Sequence, residues 1–130
     1  HVWPDTLDMM GWEIGDTGFD LVLARDIPVF VNSHFAPVCD AFLARQGLEK
    51  AEMAEPACHP GGGRVVDALA DYLGDDLAMT RSVLRANGNM SSPTVLFVLD
   101  ALLATGPIAK PTLLTALGPG FVGAMGVLTP

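Results

Sequence analysis

With 130 residues, 50% of them hydrophobic, and a mean hydropathy of +0.39, the chain has apolar material for one domain with a modest core, which excludes disorder. Fifteen acidic against seven basic residues give a net charge of −8, which argues against a nucleic-acid or an anionic-membrane partner. So apolar a short chain also implies that part of its surface is covered by something else.

Residues 1–10 read as irregular, with a turn at Trp3-Pro4-Asp5-Thr6. They do not have the make-up of a signal peptide, and a first residue other than Met reads as a cut from something longer. Residues 12–14 and 19–24 alternate as the strands of a hairpin joined by Gly15-Asp16-Thr17-Gly18. Phe19, Leu21 and Leu23 then share one face, with Asp20 and Val22 on the other. A helix is expected from Asp26, a capping residue, to about Gln46, stopped by Gly47. Its expected buried stripe is Val31, Phe35, Val38, Ala41 and Phe42, and Pro37 should kink it.

Residues 51–58 are expected as a strand leading into His59, although Glu52, Glu55 and Pro56 suit a central strand poorly. Three helices follow. Residues 61–73 turn Val66, Leu69 and Leu73 inward and end at Gly74. Residues 76–87 bury Met79, Val83 and Leu84 and end at Gly88. Residues 93–105 place Val95, Leu96, Leu99, Leu102 and Leu103 at helical spacing, with Ser92 as cap, Pro93 in the first turn and a stop at Gly106-Pro107. Residues 113–117 and 121–128 close the chain as strands around Gly118-Pro119-Gly120, the second weakened by Gly123 and Gly126. The mixture predicts an α/β domain.

Chemistry concentrates at two places. His59-Pro60-Gly61-Gly62-Gly63 is a tight turn ahead of one helix, and Asn87-Gly88-Asn89-Met90-Ser91 is a turn ahead of another. Alone, the first does not separate a catalytic His from a structural one. Together, His59 and Asn89 supply two neutral donors, which is what a site needs where negative charge develops on a carbonyl oxygen. Cys39 and Cys58 do not form a disulfide framework, so a reducing cytoplasm is the expectation. Cys39 reads as packing, and Cys58, next to His59 on a strand, should point away from it. His1 and His34 read as solvent-facing. No Cys/His spacing suggests a metal, no phosphate or dinucleotide loop is present, and no apolar run reaches the roughly 18 residues of a membrane span.

The stretches HPGGGRVVDAL (residues 59–69), TRSVLRANGNMSSPTVLFVLDAL (80–102) and ALGPGF (116–121) carry a resemblance. In order and spacing they resemble the carboxy-terminal half of type III polyketide synthases, the chalcone and stilbene synthase family, from about Leu7 to Phe121. The resemblance implies one carboxy-terminal half of a thiolase-like fold over residues 1–130, a mixed sheet covered by helices. An amino-terminal domain carrying the nucleophilic cysteine would be absent from this chain, leaving it inactive in isolation.

It also implies an acyltransferase that condenses malonyl-CoA onto an acyl-CoA starter, with coenzyme A thioesters as substrates and no resident cofactor. His59 and Asn89 would hydrogen-bond the malonyl thioester carbonyl, and His59 would hold the cysteine as thiolate. Ser91 would line the cavity, Leu21 would stand at its mouth, and Gly118-Pro119 would shape the turn beneath. Gly61 and Gly62 would bring a helix amino terminus close to the substrate. A homodimer in the cytoplasm is the accompanying expectation. Two alternatives stand beside it: a β-ketoacyl-acyl carrier protein synthase of the same fold, and a non-catalytic pairing module.

Overall fold

The computed structural model describes residues 1–130. A three-stranded sheet, ordered β3–β4–β5, organises the domain. β4 (Thr112–Gly118) and β5 (Val122–Leu128) run antiparallel, with Leu113 opposite Val127 and Ala116 opposite Ala124. β3 is only Ala57–Cys58, parallel to β4 with Ala57 opposite Leu114.

Side-chain alternation gives this sheet two apolar faces. One packs against α1 (Ile27–Phe30), α2 (Ala36–Arg45) and α3 (Gly63–Leu73), burying Phe35, Leu43, Cys58, Leu69 and Leu113 in one cluster. The other packs against α4 (Ala78–Asn87) and α5 (Thr94–Leu103), around Ala57, Val83 and Val98. The fold is thus mixed α/β with helices over both sides of a mixed sheet. β1 (Met10–Gly15) and β2 (Gly18–Leu23) form a separate antiparallel ribbon, with Trp12 opposite Leu21 and Ile14 opposite Phe19. Its two-residue loop, Asp16-Thr17, is the expected hairpin turn.

Several expectations need correction. The residues expected as a strand over 51–58 form a 3-10 turn at Lys50–Glu52 and a loop, and only the last two pair. Glu49 and Glu52 make a reciprocal capping box there, which satisfies locally the backbone groups that a strand would leave for a neighbour. α3 starts at Gly63, not 61, and α4 at Ala78, not 76. Ser92 does not cap α5, and no other side chain does; the first residue of the helix, Thr94, instead bonds the turn ahead of it.

The helix at 26–46 is continuous but not uniform. Between α1 and α2, Val31–Phe35 winds as a π turn, and Ala36 N–H reaches Val31 O five residues back. Pro37 has no N–H to give to the carbonyl of Ser33, so the turn widens where the kink was expected. The wide turn shifts the phase. Val31, Phe35, Cys39 and Leu43 are buried at strict four-residue spacing, Val38 and Phe42 are half-buried, and Ala41 faces out. Ile27–Arg45 has 19 residues and a hydropathy of 1.3, enough by length and composition to cross a membrane, contrary to the expectation that no run qualifies. Its buried stripe instead belongs to the domain's main cluster.

Residues 1–10 are better tied down than expected. Val2 bridges Val122, Trp3 N–H donates to Phe121 O at 3.3 Å, and Gly123 N–H donates to His1 O at 2.8 Å. Trp3 is 7% exposed and meets Phe30 edge-on at 5.3 Å. Gly123 makes this possible: a Cβ there would lie 2.7 Å from the indole. The glycine that weakens the strand as a sequence element therefore admits the tryptophan.

Candidate active site

The carboxyl ends of the parallel pair β3 and β4 point the same way, and such ends are where ligands meet α/β sheets. His59 follows β3 directly, and its N–H donates to Thr115 O at 2.8 Å, continuing the ladder by one residue. Gly118 ends β4, and Pro119 follows it. A cleft of about 310 Å³ opens here, lined by His59, Gly61, Asn89, Ser91, Gly118 and Pro119. Leu21 lines its ribbon side. Seven of the eight residues expected at a site therefore converge on one cavity.

Gly62 lies outside it. Its carbonyl accepts Val65 N–H at 3.1 Å and Val66 N–H at 3.0 Å, so it opens α3 instead of meeting the cleft. Met10, Trp12 and Leu23 also line the cavity and were not singled out from the sequence. Hairpin pairing was the signal: Trp12 opposes Leu21 and Met10 opposes Leu23, so all four share one face. No lining residue carries a formal charge.

The imidazole of His59 is half-buried. Its Nδ1 is buried and has no hydrogen-bond partner. Burial lowers its pKa below the ordinary 6.5, so the ring is neutral at neutral pH. A buried orphan N–H costs more than a buried orphan lone pair, so we assign the ring proton to Nε2. His59 is then a neutral N–H donor.

Asn89 is held at both ends of its carboxamide. Oδ1 accepts Ser91 N–H at 2.9 Å, closing an Asx turn. Nδ2 donates to Gly61 O at 3.3 Å, tying the second motif to the first. An NH₂ group has two protons, so one remains for a ligand. Gly88 at φ +71° and Ser91 at φ +66° shape the turn, and a serine in that region is a strained position of the kind that gathers at functional sites.

α4 is fixed to the strand that ends at His59. The Thr80 hydroxyl, fully buried, lies 3.4 Å from both Cys58 N and Cys58 O. Glu55 accepts Met79 N–H at 2.6 Å and so caps α4 from 24 residues away. Burial raises the Glu55 pKa, and nearby Asp75 and Asp76 push the same way. Neither cysteine lines the cleft, and both are buried. Burial pushes the Cys58 thiol far up and raises Cys39 as well, which is the opposite of what a nucleophilic thiolate needs. His34 is exposed and stacks on Phe30 at 4.3 Å, outside the site. No group of three or more His, Cys, Asp or Glu comes together.

The profile of chalcone and stilbene synthases, C-terminal domain, matches residues 1–123. A 1,3,6,8-tetrahydroxynaphthalene synthase of Streptomyces peucetius subsp. caesius is 39% identical over 127 residues, covering 93% of this chain and 33% of that protein. A 3,5-dihydroxyphenylacetyl-CoA synthase of Streptomyces toyocaensis is 34% identical over 125 residues, 90% of this chain and 32% of that one. Among solved structures, the 1,3,6,8-tetrahydroxynaphthalene synthase of Streptomyces coelicolor superposes with a TM-score of 0.89 at 26% identity, covering 98% of this chain and 38% of that chain. The C-terminal type III polyketide synthase domain of a type I/III hybrid from Dictyostelium gives 0.88 at 27% identity, over 99% of this chain and 38% of that one. The chain thus spans about a third of the length of these curated synthases.

Proposed function

Because the chain belongs to the chalcone and stilbene synthase family, as its carboxy-terminal domain, we propose that it supplies the charge-stabilising half of a decarboxylating condensation site. The fold is thiolase-like, as in the polyketide synthases it resembles. The observation that carries the proposal is the shared cleft of His59 and Asn89, with the Asn89 amide bound to Gly61 O between them.

Malonyl-CoA would set its thioester carbonyl oxygen against His59 Nε2–H and the free N–H of Asn89. The bond to the carboxylate carbon breaks, carbon dioxide leaves, and the electron pair moves into an enolate whose oxygen the two donors stabilise. The enolate carbon then attacks an acyl group held as a thioester on a cysteine, and that thiolate departs. The cysteine belongs to the remainder of the protein, since Cys39 and Cys58 are buried away from the cleft. His59 would favour the thiolate before loading. An uncharged, largely apolar lining suits the acyl chain, while the phosphates of coenzyme A must find their cations elsewhere.

No resident cofactor is needed for these steps. A homodimer in the cytoplasm is the setting we propose, and sedimentation of the whole protein tests the first part. The alternative of a carrier-protein synthase is disfavoured by relatives named as CoA-product and polyketide synthases. The whole protein should release carbon dioxide from malonyl-CoA, and Asn89→Ala should slow that release about 10²- to 10³-fold. An unchanged rate in the variant, or a silent wild type, refutes the reading. The 130-residue chain alone should give no condensation product.

A further inference from the structure

We propose that Thr94 is the positioning residue that aims Asn89, an inference that rests on the reading above. Thr94 is the first residue of α5 and is fully buried, although its neighbours Ser91, Ser92 and Pro93 are exposed. Its Oγ1 accepts Met90 N–H at 2.8 Å and donates to Ser91 O at 2.8 Å. Its own N–H donates to that same Ser91 carbonyl at 3.0 Å. One hydroxyl therefore binds the residue on each side of the peptide that joins Met90 to Ser91. Those residues follow Asn89 directly, and Ser91 N–H is the donor that holds the Asn89 Oδ1.

The turn needs such a device. Ser91 sits at φ +66°, which costs a serine free energy, and the Asx turn alone spans only one exposed hydrogen bond. The three short bonds from Thr94 over-determine the backbone and hold the strained residue in place. Without the hydroxyl, Met90 N–H and Ser91 O lose their shared partner. Met90 N–H then has no partner and Ser91 O keeps only the Thr94 N–H, so Ser91 is held less firmly at positive φ, its N–H wanders from Oδ1, and the carboxamide loses its fixed direction. Gly61 O would still accept from Nδ2, so Asn89 stays in the cleft but its second N–H no longer points to one place. A donor displaced by about 1 Å can cost about 10²-fold in rate.

Two substitutions separate the hydroxyl from packing. Thr94→Val keeps the buried volume and removes both side-chain hydrogen bonds. Thr94→Ser keeps the hydroxyl and removes a methyl. In the whole protein, Thr94→Val should lower kcat for carbon dioxide release from malonyl-CoA about 10- to 100-fold with KM little changed, and Thr94→Ser should stay within about 3-fold of wild type. In an Asn89→Ala background, Thr94→Val should cost nothing further, because a residue that acts only through Asn89 has nothing left to aim. Hydrogen exchange gives a readout independent of activity: the Met90 amide should exchange faster in Thr94→Val and not in Thr94→Ser.

Serine behaving worse than valine, or an equal Thr94→Val penalty with and without Asn89, overturns the aiming role. A Met90 amide as protected in Thr94→Val as in wild type overturns the pinning itself, whatever the activity. A wild type silent on malonyl-CoA sinks the polyketide reading and the aiming role with it, while exchange at Met90 still decides whether Thr94 pins the turn.

Discussion

The carboxamide of Asn89 has one oxygen and two protons, and two of these three are already engaged within the chain. Asn89→Asp is therefore an informative substitution. It keeps the acceptor for Ser91 N–H but turns a carboxylate oxygen toward Gly61 O and puts a negative charge where the enolate would form, so carbon dioxide release should fall at least as far as in Asn89→Ala. Calorimetry and kinetics run in parallel on wild type and Asn89→Asp should give a modestly lower melting temperature, from the lost tie to Gly61 O, and a far lower rate. His59 supports a second prediction. Its folded pKa lies below 6.5, so the unfolded chain binds a proton first as pH falls. Stability is then full above pH 6.5 and declines as pH drops from there toward the folded value. The His59 imidazole resonances should titrate below 6.5, and the acid slope in denaturation midpoint should shrink in His59→Gln. The roles proposed for His59 and Asn89 could be suspected from the sequence because their residue types match one chemistry. Thr94 could not, because Ser92 and Pro93 already look like a complete helix start, and only the folded chain shows which hydroxyl is buried.

At the level of elements, stops were easier to read than starts or strands. Gly47, Gly74 and Gly88 end their helices at φ +68°, +68° and +71°, a conformation that glycine reaches without a Cβ penalty. The missed strand at 51–58 has a non-local cause. Glu55, an awkward residue for a strand, is placed to cap α4 at Met79, a partner 24 residues away that no local pattern signals. The buried stripe of α2 was misphased because a π turn adds a fraction of a turn that a 3.6-residue period does not contain. Gly123 gives the sharpest test at this scale. Gly123→Ala drives a methyl to within 2.7 Å of the Trp3 ring, and the buried ring must shift to admit it. We expect a loss of about 1–3 kcal/mol in chemical denaturation. In a Trp3→Ala background the same substitution should cost much less, since the opposing atoms are gone.

Across the whole molecule, the apolar excess seen in the composition has a definite location. Ile14 is 83% exposed, Phe19 71%, Leu21 58% and Trp12 55%, all on the ribbon, and Leu96 and Phe97 are exposed on α5. The chain alone should therefore bind a hydrophobic dye and self-associate in sedimentation, more so than the whole protein. The ribbon is also thinly attached. Ala24 N–H to Met9 O extends its own ladder by one rung, Gly120 N–H to Met10 O ties its root to the β4–β5 turn, and no second layer backs its tip. A lone pair of strands is marginal in water, so its amides should exchange well before those of β4 and β5. One side of the cleft is thus rigid sheet and the other a compliant flap carrying Trp12 and Leu21. The bore of the cleft is then a thermal average, narrowed by whatever presses on the outside of the flap and widened by warmth, before any residue inside is altered.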